Sequence, residues 1–432
     1  MTWQRFATTP EGCRRGRFFT PPSESEREAN PDSPPPAASA DPAPPWRTFL
    51  SKTAFEPLLP KAWERWLKLW EQADRSSRYE RARNRAASFV LPDSTASRNL
   101  VLAVNAALSL RRPLLLSGRP GSGKTTLAYV VAQWLGLGPV LEWSVSPGAT
   151  LADALVSYDP LARLQDLEIA RKLAETSQPL PAHDAPDLTP KPVEHYMRLG
   201  PVGTAFLPMP LPRVLLIDEI DKGDLNLANE LLHLFEEGKF TLPQLQRGSG
   251  TTGAGTGPEG QPRVITRVIN SADEDDNGQP IPVEIQGAVV QCYEFPLVVM
   301  TSNGEREFPA AFNRRCLRVR MPDFSDDSAS LEAIVRRHWQ ASDTPAGTPA
   351  GQGQARPLAQ LDLALQDFQK AIQAAQVVGD HLALDQLLNL AYLLEQETPP
   401  VTEATRRDLR QVLLQALEAD PEQQPPPGSE PS

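Results

Sequence analysis

A short apolar run, Pro113-Leu114-Leu115-Leu116-Ser117, leads directly into Gly118-Arg119-Pro120-Gly121-Ser122-Gly123-Lys124-Thr125. A helical pattern, Thr126 to Leu135, follows and stops at Gly136. This order constrains the fold more than anything else in the chain. A buried strand that ends in a glycine loop and turns at once into a helix makes backbone N–H groups converge at the positive end of the helix dipole. The spacing G-x-x-x-x-G-K-[ST] is that of a phosphate-binding loop. Glycine at 118, 121 and 123 lets the backbone approach phosphate oxygens with no Cβ in the way. Lys124 supplies a charge for the β- and γ-phosphates, and the Thr125 hydroxyl suits Mg²⁺. Thr126, next in line, belongs to the same nucleotide-contacting set.

Two further apolar runs end in polar groups. Arg213-Val214-Leu215-Leu216-Ile217 reads as a strand buried on both faces, and Asp218-Glu219 stand at its C-terminal end, where ligands bind in open α/β sheets. There Asp218 can hold Mg²⁺, and Glu219 can polarise the water that attacks a γ-phosphate. Pro296-Leu297-Val298-Val299-Met300-Thr301-Ser302-Asn303 is the second run. If the two strands are neighbours, Asn303 lies beside Asp218, and its amide meets the attacking water or the γ-phosphate. A plain strand-end turn at Gly304 is the alternative. Arg314 and Arg315, just before a last short strand (Leu317 to Met321), are either surface charge or reach a phosphate in a neighbouring subunit.

The rest of the chain divides by composition. Proline, at Pro 45, is about twice the usual share and concentrates in a few segments. Residues 1–45 read as a disordered arm that cannot bury enough surface to order itself. Residues 46–92 read as a helical segment in which Trp63, Trp66 and Trp70 share one face, packed on the main domain rather than left as a docking surface. Helix is expected from Ser94 to Leu110 and a strand over Pro139–Val145. A long insertion covers 147–212, with a helix over Leu151–Glu175 and a proline-rich loop over 178–192. Another helix is expected over Asp224–Gly238. After a flexible loop (248–262), Val264–Ile269 and Val283–Phe295 read as strands about a turn. Asp273, Asp275, Asn277, Gly278 and Glu284 fit the spacing of a calcium loop, but β-rich flanks and Pro280 and Pro282 favour a polar hairpin tip. From Asp323 on the pattern is helical (330–340, 358–377, 383–396, 402–419), with a disordered tail after Asp420.

The net charge of −11 gives no general attraction to nucleic acid or anionic membrane. Cys13, Cys292 and Cys316 are widely spaced, which favours neither zinc nor a disulfide framework and fits a reducing cytosol. No apolar run reaches membrane-spanning length, and Arg14-Arg15 lacks the apolar stretch of an export signal.

Over about residues 93–419 the order of parts resembles the AAA+ ATPases, and among them the MoxR-type branch. The loop with Lys124 resembles Walker A, Asp218-Glu219 resembles Walker B, and Asn303 in Thr301-Ser302-Asn303 matches sensor 1. Arg314-Arg315 falls where that branch keeps its arginine finger; the family often has Asp at the position of Arg314, which makes Arg315 the better match. The insertion ending in Tyr196-Met197-Arg198-Leu199-Gly200-Pro201 resembles the helix-2 insert. No arginine occurs in Gly379–Gln386, where the family often carries sensor 2. The resemblance implies a P-loop NTPase core with a parallel five-stranded α/β sheet (93–322), an all-α lid (323–419) and a tail (420–432). It further implies ATP and Mg²⁺ as ligands, a homo-oligomeric ring of six subunits, and a partner protein, commonly one with a von Willebrand A domain. An ordinary GTPase is disfavoured by the lack of an N-K-x-D element. A nucleotide-controlled binding protein with little turnover, or a GTP-driven motor, is the alternative.

Overall fold

The computed structural model describes residues 44–91, 94–175, 191–248, 266–322, 331–336, 361–378 and 384–396, with 409, 413 and 414. Nearly all of the expected arm over 1–45, nearly all of the loops over 178–192 and 248–262, most of the helices at 330–340 and 402–419, residues 379–383 and the C-terminal tail lie outside these residues.

A 3₁₀ turn at Pro45–Arg47 is followed by α1 (Lys52–Phe55), α2 (Leu59–Arg75), α3 (Glu80–Ser88) and α4 (Thr95–Leu110). The Ser94 side chain caps α4 by accepting from the Ser97 N–H, which satisfies one of the donors a helix start leaves unpaired. Then come β1 (Leu114–Ser117), α5 (Lys124–Leu135), β2 (Leu141–Ser144), α6 (Leu151–Leu155), β3 (Val156–Tyr158), α7 (Pro160–Glu175), β4 (Met197–Leu199) and α8 (Pro201–Ala205). They lead to β5 (Val214–Asp218), α9 (Leu225–Glu237), β6 (Lys239–Thr241), α10 (Pro243–Gly248), β7 (Thr266–Glu274), β8 (Pro280–Gln286) and β9 (Val289–Gln291). The core closes with β10 (Leu297–Ser302), α11 (Ala310–Arg315) and β11 (Leu317–Arg320).

The central sheet has five strands in the order β11-β1-β10-β5-β2, and every pairing is parallel. Its three inner strands, β1, β10 and β5, are apolar almost throughout because both faces are covered, whereas the edge strands β2 and β11 alternate with exposed positions. Leu114, Leu116, Val214, Leu216, Leu297 and Val299 face a core shared with α3, α4 and α5. Leu115, Leu215, Ile217, Val298 and Met300 face the other core, shared with α2, α8, α9 and the insertions. This is the expected P-loop α/β core. A separate helical cluster joins residues 331–336, α12 (Leu361–Val378) and α13 (Leu384–Gln396) through Leu331, Val335, Phe368, Leu387 and Leu390. None of the described helices is long and apolar enough to cross a membrane.

The insertion departs from expectation. The single helix over Leu151–Glu175 is broken into α6, β3 and α7. Val156 and Tyr158, a β-branched and an aromatic residue, pair with Leu199 and Met197 of β4, and the Asp159 side chain then caps α7 by accepting from the Ala162 N–H at 2.9 Å. The insertion sits hard against its neighbours: a Cβ on Gly203 would lie 2.0 Å from the Leu155 carbonyl oxygen.

Strands β7 and β8 form an antiparallel hairpin longer than the sequence pattern indicates, and the single strand expected over Val283–Phe295 is divided between β8 and β9. Pro280 and Pro282 are tolerated because β8 is an edge strand of the sheet β3-β4-β7-β8. The turn is held by Asp275, whose Oδ1 accepts from the N–H groups of Asn277 (2.9 Å) and Gln279 (2.8 Å), with Gly278 at φ 78°. Two residues of the calcium-loop spacing are committed elsewhere: Glu284 accepts from Lys61 Nζ, and Asp273 is buried.

Asp273 is the centre of a buried ion cluster. Arg213 grips it with both terminal nitrogens (3.0 and 2.9 Å), and Arg65 of α2 adds a bond of 2.6 Å. Beside this cluster, Trp63 and Trp66 of α2 pack edge to face, 5.8 Å apart, with Trp66 fully buried and Trp70 half-buried. The tryptophans therefore fill the core, as the packing reading expects. Burial works against ionisation of Asp273, but Arg213 and then Arg65 outweigh it and hold the carboxyl well below the usual range. A depressed folded-state pKa stabilises the fold above the unfolded value of about 4 and is lost only as pH falls through the folded value. Asp273→Ala leaves two guanidinium groups facing each other in the interior. It is expected to cost about 3–5 kcal/mol at neutral pH, read from urea denaturation, with the difference between variant and parent shrinking in strong acid.

Candidate functional site

The phosphate loop runs from β1 into α5, and Gly123, the residue before the helix, has φ 83°. A side chain there would be strained at any size, and its Cβ would lie 3.4 Å from the Phe89 ring. Met321, at the end of β11, lies against Gly118 on the other wall, 3.2 Å from where a Cβ would stand. Phe89 and Met321 thus wall the loop, and neither carries a motif that would have singled it out in the sequence.

Inside this frame Lys124 is 7% exposed and its ammonium donates to the carbonyls of Gly118 and Arg119, both at 2.8 Å. Burial pushes its pKa down from the ordinary lysine value, while Asp218, Asp221 and Glu219 act in the opposite direction. The Ser122 hydroxyl is buried within the loop without a hydrogen-bond partner. A buried donor left unpaired is costly unless something completes it, and a phosphate oxygen is a suitable acceptor.

Asp218 ends β5, and its Oδ1 accepts from the Thr125 hydroxyl at 3.0 Å. The sequence pairing of these two is therefore realised in space: a hydroxyl and a carboxylate, the hard oxygen donors Mg²⁺ takes. Glu219 follows at φ 58°, a left-handed conformation uncommon outside glycine and asparagine. Its N–H donates to Thr301 Oγ1 at 2.9 Å, and the Thr301 hydroxyl donates in turn to Asp218 Oδ1. The Glu219 carboxylate accepts from Lys222 Nζ at 2.7 Å.

Strands β5 and β10 are parallel neighbours, Met300 opposite Ile217. The next pair along brings Thr301, not Asn303, against Asp218. Asn303 lies past the strand end, where its N–H donates to Asp221 Oδ2 at 2.9 Å. The reason is the twofold alternation of a strand: Thr301 and Asn303 share a face, but the chain leaves the sheet between them. Asp221 and Lys222 were equally unmarked in the sequence reading, although they stand two and three residues after Glu219.

Arg314 and Arg315 end α11, and both are exposed. Arg315 Nε donates to Glu236 of α9 at 2.7 Å, and Arg314 Nε to the Ala310 carbonyl at 3.3 Å. Among the described residues their side-chain bonds run to α9 and to their own helix rather than to the Lys124 loop.

A search of the curated proteins finds no match. Among solved structures, the chain overlaps NtrX of Brucella abortus in complex with ATP (15% identity, TM-score 0.36, 77% of this chain and 59% of that one). It also overlaps PCH-2 of C. elegans (13% identity, TM-score 0.32, 76% of this chain and 70% of that one). A further NtrX structure is spanned over 56% of its length. With scores this low, the fold assignment rests on the strand order above and not on these overlaps. It is from β1 to the hairpin turn, residues 113–279, that the chain matches a family model, that of the AAA domain, dynein-related subfamily.

Proposed function

We propose that this chain is an Mg²⁺-dependent ATP-hydrolysing motor of the AAA+ class, of MoxR type, whose subunits form a six-membered cytoplasmic ring and remodel or activate a partner protein. The observation that carries the reading is the convergence of the Lys124 ammonium, the orphaned Ser122 hydroxyl and the Thr125–Asp218 pair at one loop. Residues 118–126 hold the polyphosphate. Thr125 and Asp218 would hold Mg²⁺, which, when bound, neutralises charge on the phosphate oxygens. Glu219 orients and polarises the attacking water, Asn303 senses the terminal phosphate, and Arg315, or Arg314, is offered to the neighbouring subunit. A partner with a von Willebrand A domain, on a separate chain, is the client class that the MoxR resemblance implies.

Lys124→Ala tests the core of this reading. Its side chain is the charge that faces the phosphates, so calorimetry with Mg·ATP is expected to show tight binding in the parent and none measurable in the variant. Equal affinity in both would mean that the loop is not the nucleotide site.

A second reading is favoured by one contact. With its carboxylate on Lys222, Glu219 is drawn to an ammonium 2.7 Å away, and a protein held in that state binds ATP as a switch with little turnover. Measured turnover per bound nucleotide separates the two readings, and Lys222→Met is expected to raise it only in the switch case.

A further inference from the structure

Asp221 is 1% exposed, and one of its two oxygens carries an unusual load. Oδ2 accepts from the Ser302 hydroxyl (3.0 Å) and from the N–H groups of Asn303 (2.9 Å), Gly304 (3.0 Å) and Glu305 (3.1 Å). The other oxygen, Oδ1, is buried and has no partner. Taking a carboxylate out of water and leaving half of it unpaired is unfavourable unless the remaining bonds are strong. Successive backbone N–H groups turned toward one anion form such a nest. The Gly304 N–H also bonds the Ser302 hydroxyl at 3.0 Å, which closes the turn on itself.

A second tie crosses the same gap. Arg306 donates to the Gly223 carbonyl at 3.1 Å, so the turn after Glu219 and the loop after β10 are laced together from both sides. The turn itself is short: a 3₁₀ segment, Ile220–Lys222, that begins at the left-handed Glu219.

We infer that Asp221 is the positioning residue that fixes the 302–305 loop, and through it Asn303, relative to Glu219. The inference rests on the nucleotide reading for its purpose, but the tether itself belongs to the protein without nucleotide. Asp221 touches neither phosphate nor water in this role; it sets where Asn303 stands. Because the nest is anchored two residues after Glu219, a shift of the Asp218–Glu219 end of β5 is expected to be carried to Asn303.

The test has two arms. Hydrogen exchange at the amides of 303–305 is measured without nucleotide in the full chain, in the parent, in Asp221→Asn and in Asp221→Ala. Asparagine keeps the shape but replaces a charged acceptor with a neutral one, so exchange is expected to quicken at least about tenfold at 303–305, and further in alanine, while amides of β10 stay as protected as in the parent. Unchanged exchange at 303–305 in both variants overturns the inference, and so does a loss of protection spread through β10, which marks a folding defect instead. The second arm is a double-mutant cycle on kcat and KM with ATP: Asp221→Asn alone, Asn303→Ala alone, and the pair. Asp221→Asn is expected to lower kcat with little change in KM, and to add nothing once Asn303 is alanine. Full additivity overturns the inference. A parent without Lys124-dependent turnover sinks the nucleotide reading, and the exchange arm still decides the tether.

Discussion

Subunits carrying Arg314→Ala/Arg315→Ala and subunits carrying Lys124→Ala are each expected to be inactive alone and to recover hydrolysis when mixed. The first set keeps a binding site and lacks the donated cation; the second lacks the site and keeps the cation. In a ring, one arrangement of neighbours restores a complete site. Phosphoryl transfer spreads negative charge over the γ-phosphate oxygens, and an arginine brought to it by a neighbour is worth about 10³–10⁵ in rate. Arg315 is the stronger of the two for this role. It lies on the surface with 45% of its side chain exposed, and its bond to Glu236 is an exposed pair, of a kind that contributes about 0–1 kcal/mol and yields easily to a better anion. Activity per subunit is expected to rise with protein concentration as the ring assembles. A double-arginine variant as active as the parent, with turnover independent of concentration, rules out a shared site.

Glu219→Gln is expected to bind Mg·ATP as tightly as the parent and to turn it over about 10²–10⁴-fold more slowly. Glutamine fits the left-handed backbone at φ 58° as well as glutamate does, so the fold and the Thr301 contact survive. On the proposed mechanism, what is lost is the charge that draws a proton from the attacking water. Strain of this kind, about 1–3 kcal/mol for a non-glycine residue, persists where the surroundings over-determine it. Here the Thr301 hydroxyl holds the Glu219 N–H and Asp218 together. Pre-steady-state measurement of phosphate release checks the prediction, and an unchanged rate removes Glu219 from the chemistry.

The parts of the fold that were legible in the sequence are those set by local pattern. Each of the inner strands β1, β5 and β10 is an apolar run because it is covered on both faces, and Ser94, Asp224 and the glycines at 136 and 238 mark helix ends by chemistry that acts within a few residues. Interactions across long separations were not legible. Nothing near Asp273 in the chain announces that it is paired with Arg65 and Arg213; the local pattern it shares with Asp275 and Asn277 indicated only a polar hairpin tip. The same holds for α6, β3 and α7, whose break is decided by pairing with β4 some forty residues away. At the site, the phosphate loop and Asp218-Glu219 were readable as short local patterns at strand ends. Thr301 and Asp221 were not, since their roles depend on where one strand stops relative to its neighbour.

The helices that precede the phosphate loop have a consequence for how the chain comes off the ribosome. Arg47 bonds the carbonyl of Phe235, Lys61 pairs with Glu284, and the Phe49 carbonyl accepts from Gln291. Each partner is made roughly 200 residues later, which at about 5–20 residues per second is a delay of about 10–40 s. Through that interval Trp63 and Trp66 have no core to enter, because β5, α9 and the hairpin do not yet exist. These helices thus emerge well before the partners that seat them, and the newborn protein passes through a stage with Trp63 and Trp66 in water. Slower elongation lengthens that stage, so such a chain is expected to depend on a holding factor more than its finished structure suggests.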